Sequence, residues 1–416
     1  MMHDSIQLVP DKKDCCACGA CMNICPKNAI GMKEDEYGFL YPRINDNICV
    51  KCGLCISVCH YKNPTLMAPK KGYAAANMDI KELGLSASGG VAAAISRSVI
   101  ECGGVVFGAV IETEKDGMVV YHRAVDSVKD LHLLQGSKYT ASQMRYCYKE
   151  AKMLLNKGIK VLFTGTPCQI NGLYNYLGKP YDNLFTIDIV CHGVASQQMF
   201  RDFISFEENK NGGRITNFRF RTKERGWGIT ASYTIEKGGY KKVVFKHSDE
   251  LSYCNYFMKG KFDRENCYSC PFAKSNRVGD ITVCDFWGIQ MSCPELLIVN
   301  NGEFDDFRGI SGILINTKKG DYLLSNYGNG LRLAEVKTEN IIAHNPQLNH
   351  PTDINKRDVG LIERYRINGY CEIDSDYQEK CNTFLDKVDR IKRKLLKYIK
   401  HMIPLSLKRN IKKLIK

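Results

Sequence analysis

Nine of the chain's 20 cysteines fall within the first 59 of its 416 residues, and eight of those repeat one spacing. Cys15-x-x-Cys18-x-x-Cys21-x-x-x-Cys25-Pro26 recurs as Cys49-x-x-Cys52-x-x-Cys55-x-x-x-Cys59. Thiolates two residues apart on a tight loop grip three corners of a cubane. A fourth cysteine further on crosses to the neighbouring cluster, as in bacterial two-cluster ferredoxins. The spacing predicts one 4Fe-4S cluster on Cys15, Cys18, Cys21 and Cys59, and another on Cys49, Cys52, Cys55 and Cys25. Paired four-cysteine zinc sites lack this crossed spacing. Cys16 reads as a bystander thiol, and His60 stands where proline is usual after the last cysteine; neither removes a ligand.

Everything else about the chain is ordinary for a globular protein. Hydrophobic residues at 44% and charged residues at 25% exclude wholesale disorder, and the length has room for two or three domains. The opening MMHDSIQLVPDKKD carries charge where a secretory leader needs an apolar core, so a cytoplasmic location is expected, with cysteines kept as thiols or metal ligands. Gly89 to Ile111 is broken by Arg97 and Glu101, short of the roughly 18 apolar residues of a span, so no membrane-crossing helix is expected. The formal charge of +14 is concentrated at the end. Asp386 to Lys416 holds twelve basic residues against two acids, a net +10.

The pattern along the chain predicts an α+β protein: a dicluster ferredoxin module over 1–66, a mixed α/β core over 72–150 and 151–380, and a basic tail over 381–416. The segment EDEYGFLYPRIND between the cysteine runs has hairpin-like turns, and KNPTLMAPKK (62–71) reads as a linker. Strands are expected at 103–112, 161–165, 184–191 and 312–316, with helices at 88–100 and 144–156. Residues 215–248 alternate and turn at Gly238-Gly239, like an antiparallel hairpin.

Three further segments carry chemistry. Thr164-Gly165-Thr166-Pro167-Cys168-Gln169 and Cys191-His192-Gly193 each follow a strand, where α/β folds build sites, and Cys267-x-x-Cys270-Pro271 adds a pair of thiols. Cys168, Cys191, Cys267 and Cys270 could converge on a third cubane, or the first two could be small buried hydrophobes. Ser88-Gly89-Gly90 opens a helix whose amides suit a pyrophosphate, or simply makes a tight turn. Gln135, Gly136, Ser137, Lys138 and Tyr139 offer groups suited to phosphate or a flavin edge, or form an exposed loop. His192 reads as a proton donor or a structural hydrogen-bonding residue. Arg219, Arg221, Arg225 and Trp227 line an anionic site or an exposed strand face. Catalytic residues are not assigned.

The segments ASGGVAAAI (87–95), LQGSKYTAS (134–142), LFTGTPCQINGL (162–173), DIVCHGVAS (188–196), FRFRTKERGWG (218–228) and CYSCPFAKSNRVGDITVCDFWG (267–288) resemble the coenzyme F420 hydrogenase/dehydrogenase beta-subunit family, over roughly residues 8–320. The resemblance is to bacterial members with an N-terminal ferredoxin domain, many encoded near capsule or exopolysaccharide genes. It implies FAD in the α/β core, held near Ser88 to Gly90, Gln135 to Tyr139 and Thr164, Gly165 and Thr166, and a third 4Fe-4S cluster on Cys168, Cys191, Cys267 and Cys270. Cys284 departs from the family's usual glycine and either competes as a ligand or packs. The expected function is an iron-sulfur flavoprotein oxidoreductase relaying electrons through 4Fe-4S clusters to FAD and a substrate, with ferredoxin or a reduced deazaflavin as donor. The alternatives are an electron-transfer subunit without its own substrate and a non-catalytic iron-sulfur protein at membrane assembly machinery. Phe384, Val388, Ile391, Leu395, Ile399 and Met402 recur at helical spacing among the tail's bases, which predicts an amphipathic helix for an anionic membrane surface. No nucleic-acid partner is expected.

Overall fold

The computed structural model describes residues 8–402 apart from 60, 62 and 116; the expectations placed on His60 and on the basic stretch after Met402 lie outside them. At the centre is an eight-stranded sheet. Its order is Leu331–Val336, Lys71–Asn77, Ser311–Ile315, Ile281–Asp285, Leu184–Ile189, Val161–Gly165, Val105–Glu114, Gly117–Val125. The four strands from Ile281–Asp285 to Val105–Glu114 run parallel, and the flanking pairs are antiparallel. Parallel strands are covered on both faces and read as continuous apolar runs, as Val161, Leu162 and Phe163 do, all fully buried. One face packs on helices Val91–Glu101 and Lys318–Tyr327, the other on Cys147–Asn156 and Pro167–Leu177.

The expected strands form within a few residues of their predicted bounds, and the turn at Gly238-Gly239 joins Thr230–Lys237 to Tyr240–His247. Both glycines have positive φ, as a two-residue hairpin turn requires. Arg214–Arg219 adds a third strand to this small sheet. The helix expected from residue 88 starts later, at Val91. Gly89 lies flat against the sheet: a Cβ there would come within 2.2 Å of the Ala75 carbonyl oxygen.

The N-terminal module keeps its sequence repeat as a backbone repeat. Ala17 and Lys51 both take left-handed φ, 56° and 55°, and Gly19 and Gly53 follow at 75° and 76°, each starting a short helix, Ala20–Ile24 or Leu54–Ser57. Between the runs lies the hairpin Ile30–Glu34 and Leu40–Ile44. The first run and the hairpin carry polar contacts to the core. The Asn23 amide donates to the Arg145 carbonyl at 2.8 Å, Arg264 donates to the Cys15 carbonyl at 2.8 Å, and Arg201 pairs with Glu34 at 2.8 Å.

The tail helix forms over Phe384–Met402. Arg390 is buried and donates to the Asp249 carbonyl, the Tyr377 hydroxyl and Asn382. Phe384, Leu385, Ile391 and Leu395 stay exposed.

Candidate functional site

Cysteines ring three cavities. The first, with about 570 Å³ of empty volume, is lined by Cys15, Cys18, Cys21 and Cys59; the second, about 350 Å³, by Cys25, Cys49, Cys52 and Cys55. Each set contains the crossed cysteine that the spacing requires. The third, about 540 Å³, brings together Cys168, Cys191, Cys267 and Cys270 from three distant segments. Among the described residues no three side chains are gathered tightly enough to hold a single metal ion. The thiols stand around rooms instead. Cys102, Cys147, Cys254, Cys293, Cys371 and Cys381 line none of the three.

Local folding explains how the third set is presented. In TGTPCQ, Thr166 caps the helix Pro167–Leu177, Gln169 closes the capping box, and Pro167 takes the first helical position. That places Cys168 in the first turn, where the helix dipole favours a thiolate. Cys191 sits on the loop after Leu184–Ile189, next to Gly193, whose φ of 144° leaves no room for a side chain: a Cβ would lie 2.3 Å from the Asp263 carboxylate. Cys267 and Cys270 lie on and just after a single-turn helix, Glu265–Ser269.

Sequence reasoning missed what holds that loop to the strand end. Arg277 and Asp188 form a fully buried ion pair at 2.9 Å, and Arg277 also donates to the Phe272 carbonyl at 3.0 Å. The Asp188 carboxylate accepts the Gly279 amide at 2.8 Å, while Asp280 takes the Thr186 amide at 2.9 Å. An aspartate inside the apolar run LFTIDIVC was the available signal, because a buried charge needs a partner. Removing one partner of such a pair costs roughly 3–5 kcal/mol.

The electrostatics suit an anionic cluster. Arg264 is buried, spans from the core to the Cys15 carbonyl, lies 4.0 Å from the Tyr41 ring, and keeps Nη1 and Nη2 without a hydrogen-bond partner among the described residues. The thiols of Cys15, Cys21, Cys191 and Cys267 are pushed up by burial, and burial raises Cys270 to about 11. Cys168 is lowered to about 7 by its hydrogen bond with Cys16, and Cys18 is lowered by Cys16 as well. Cys16, expected to be a bystander, lines both the first and third cavities. Cys284 is not near them. Its thiol reaches the Gly312 carbonyl at 3.7 Å and packs in a separate apolar cluster.

His192 lines the third cavity, stacks on Phe257 at 4.5 Å and lies 3.8 Å from buried Asp263, whose carboxyl burial pushes up. Elsewhere, the loops expected to meet a flavin are brought together. Lys223 donates to the Leu83 carbonyl at 2.6 Å and to that of Ser88, Arg219 donates to the Leu85 carbonyl at 2.5 Å, and the Gln135 amide donates to the Glu82 carbonyl and the Ser86 hydroxyl. Lys138 is buried against the carbonyls of Leu133, Leu134 and Gln135. Burial lowers both lysines to about 7. Among the described residues none of these three cations has a carboxylate in ion-pair range. Gly89 gives its amide to Ser311 at 2.8 Å, and Thr164 gives its hydroxyl to the Phe107 carbonyl at 2.9 Å. Arg221 and Trp227 are clamped by Asp285 at 2.6 and 2.8 Å, with Trp227 stacked on Trp287 at 4.6 Å; Arg225 lies apart, over Phe245.

Residues 158–340 match the family model for the C terminus of the coenzyme F420 hydrogenase/dehydrogenase beta subunit, and residues 14–63 match the 4Fe-4S dicluster domain. A coenzyme F420-dependent sulfite reductase from Methanocaldococcus jannaschii is 25% identical over 341 residues, which is 79% of this chain and 48% of the relative, so the chain spans about half that protein's length. A chain from a xenon-derivatised F420-reducing NiFe hydrogenase complex of Methanosarcina barkeri overlays with a TM-score of 0.40 at 16% identity, covering 76% of this chain and 93% of that one. Among the described residues no helix is long and apolar enough to cross a membrane. The two matches make this an iron-sulfur oxidoreductase that transfers electrons. With a dicluster domain ahead of the matched core, the chain belongs to the coenzyme F420 hydrogenase/dehydrogenase beta-subunit family.

Proposed function

We propose that the chain collects single electrons at its N-terminal clusters and passes them to a third cluster and an FAD in the core. The observation that carries this reading is the third ring of cysteines, Cys168, Cys191, Cys267 and Cys270, which shares a wall with the first. Bound groups would supply one-electron transfer at the clusters and two-electron chemistry at the flavin. The residues hold and insulate them. Arg277 and Asp188 fix the Cys267–Cys270 loop, Arg264 offsets the charge of the first cluster, and Lys138, Arg219 and Lys223 form a cationic floor for a pyrophosphate. A donor of the reduced-deazaflavin class fits this reading, since the similar sulfite reductase is F420-dependent.

The half-length match to that reductase favours a second reading, in which the substrate lies on another chain. The tail helix, with Arg390 docked and Phe384, Ile391 and Leu395 exposed among bases, supports attachment to an anionic membrane face. The test is anaerobic purification with iron, sulfide and flavin measured on one sample, followed by turnover of the single chain with a deazaflavin reductant. Iron for three clusters with one FAD supports the proposal. Iron for two, or zinc without sulfide, overturns it, and reduction of the cofactors without turnover favours the second reading.

A further inference from the structure

Cys16 stands on two cavity walls at once, the first and the third. Its thiol is within hydrogen-bond reach of Cys18 on one side and Cys168 on the other. The backbone repeat supplies a control. Val50 occupies the matching position of the second run, between the same left-handed residue and the same first cysteine. Val50 is 57% exposed, whereas Cys16 packs into the apolar cluster that includes Tyr148 and Phe163. At a buried position that only needs filling, valine or alanine suffices. Here the residue is the one apolar-sized side chain that can also donate a hydrogen bond to sulfur.

We propose that Cys16 is the electronic junction of the molecule, a positioning residue whose S–H bridges a ligand sulfur of the first cluster to a ligand sulfur of the third. This rests on the relay reading above. In the step it serves, the first cluster loses one electron and the third gains it; Cys16 keeps its proton and its oxidation state, and the electron is replenished by the one-electron donor that feeds the ferredoxin module. A thiol has a single hydrogen, so it is shared between the two sulfurs or alternates between them. Hydrogen bonds to cluster sulfurs stabilise the more negative, reduced state and so raise its potential. The bridge therefore tunes both partners together and leaves the second cluster alone.

The test uses the full chain, loaded anaerobically, as wild type, Cys16→Val and Cys16→Ser. Iron and sulfide are counted, and the clusters are followed by paramagnetic resonance during a reductive titration, with Cys52→Ala identifying the second cluster's signal. Cys16→Val should keep its iron and sulfide while the first and third potentials both fall. The expected change is about tenfold in the reduced-to-oxidised ratio at fixed potential, about 59 mV for one electron. The second cluster should not move, and Cys16→Ser should recover much of the shift through its hydroxyl. Loss of one cluster's iron in Cys16→Val would make Cys16 a ligand, and unmoved potentials with full iron would make it a filler; either result overturns the inference. Wild-type iron for only two clusters would overturn the relay reading itself, which separates the two failures.

Discussion

The two halves of the ferredoxin repeat share a backbone and differ in surroundings. The first half lies against the core, with Gly19 3.2 Å from Met144 at its Cβ position and Asn23 and Cys15 bonded to core residues. The second faces water: Ile48, Val50, Leu54 and Ile56 are all exposed, and Cys52 with them. One cluster-binding loop therefore serves two purposes according to what covers it. The solvent-facing half is where a donor can approach, and the covered half is where electrons leave for the core.

Cysteine substitutions should break this comparison most strongly. Cys21→Ala is expected to lose one cluster and to loosen the junction with the core, because cluster-ligand bonds replace a hydrophobic core that some 50 residues can scarcely build. Cys52→Ala should lose a cluster with little effect on the core. Iron content and thermal unfolding of the two variants measure the contrast, and equal destabilisation would show that the halves are not distinct.

A smaller effect is expected at Gly172, where helix Pro167–Leu177 crosses the first cysteine run. A Cβ there would lie 2.9 Å from both Cβ and Sγ of Cys18 and from the Tyr148 hydroxyl. Gly172→Ala should cost about 1–3 kcal/mol by overpacking and slow electron passage into the core while leaving reduction of the exposed cluster unchanged. Denaturant midpoints and stopped-flow reduction would check this.

The paired glycines sharpen the point further. Gly53→Ala meets open space and pays only for its left-handed backbone, about 1 kcal/mol, whereas Gly19→Ala adds a clash with Met144. The second should be the more destabilising in chemical unfolding.

The smallest predicted effect lies at the receiving end of the path. Lys138 and Lys223 are each lowered to about 7, so they lose protons as pH rises through neutrality. An anionic cofactor binds the protonated form and raises those values, so FAD affinity should fall as pH rises above about 7, on the order of tenfold by pH 8.5. Flavin fluorescence titrations at both ends of that range read it; a flat profile would remove the lysines from the site.

Much of this was legible in the chain. Cysteine spacing carried the first two cavities, since local loops fix thiol positions without help from elsewhere. The strands at Val161–Gly165 and Leu184–Ile189 announced themselves as apolar runs, and Gly238-Gly239 as a turn. Lys71–Asn77 did not, because KGYAAAN has little β propensity and becomes a strand only by pairing with Ser311–Ile315 and Leu331–Val336. The role of Cys16 was equally hidden: Cys168, the residue that gives it meaning, is far along the chain and is delivered by a helix cap. Pairings of that kind are tertiary facts.

Arg264 has a consequence for how much of this protein a cell can keep. Its guanidinium is buried with two nitrogens unmatched among the described residues and only a ring face and one carbonyl beside it. Without its anionic neighbour that charge is a liability, and with the neighbour in place it becomes an attraction, so loading and folding are thermodynamically linked. Iron scarcity would then be felt first as a shortened lifetime of the polypeptide: chains left unloaded open more often and are cleared by proteolysis, which keeps the standing population matched to the supply of clusters.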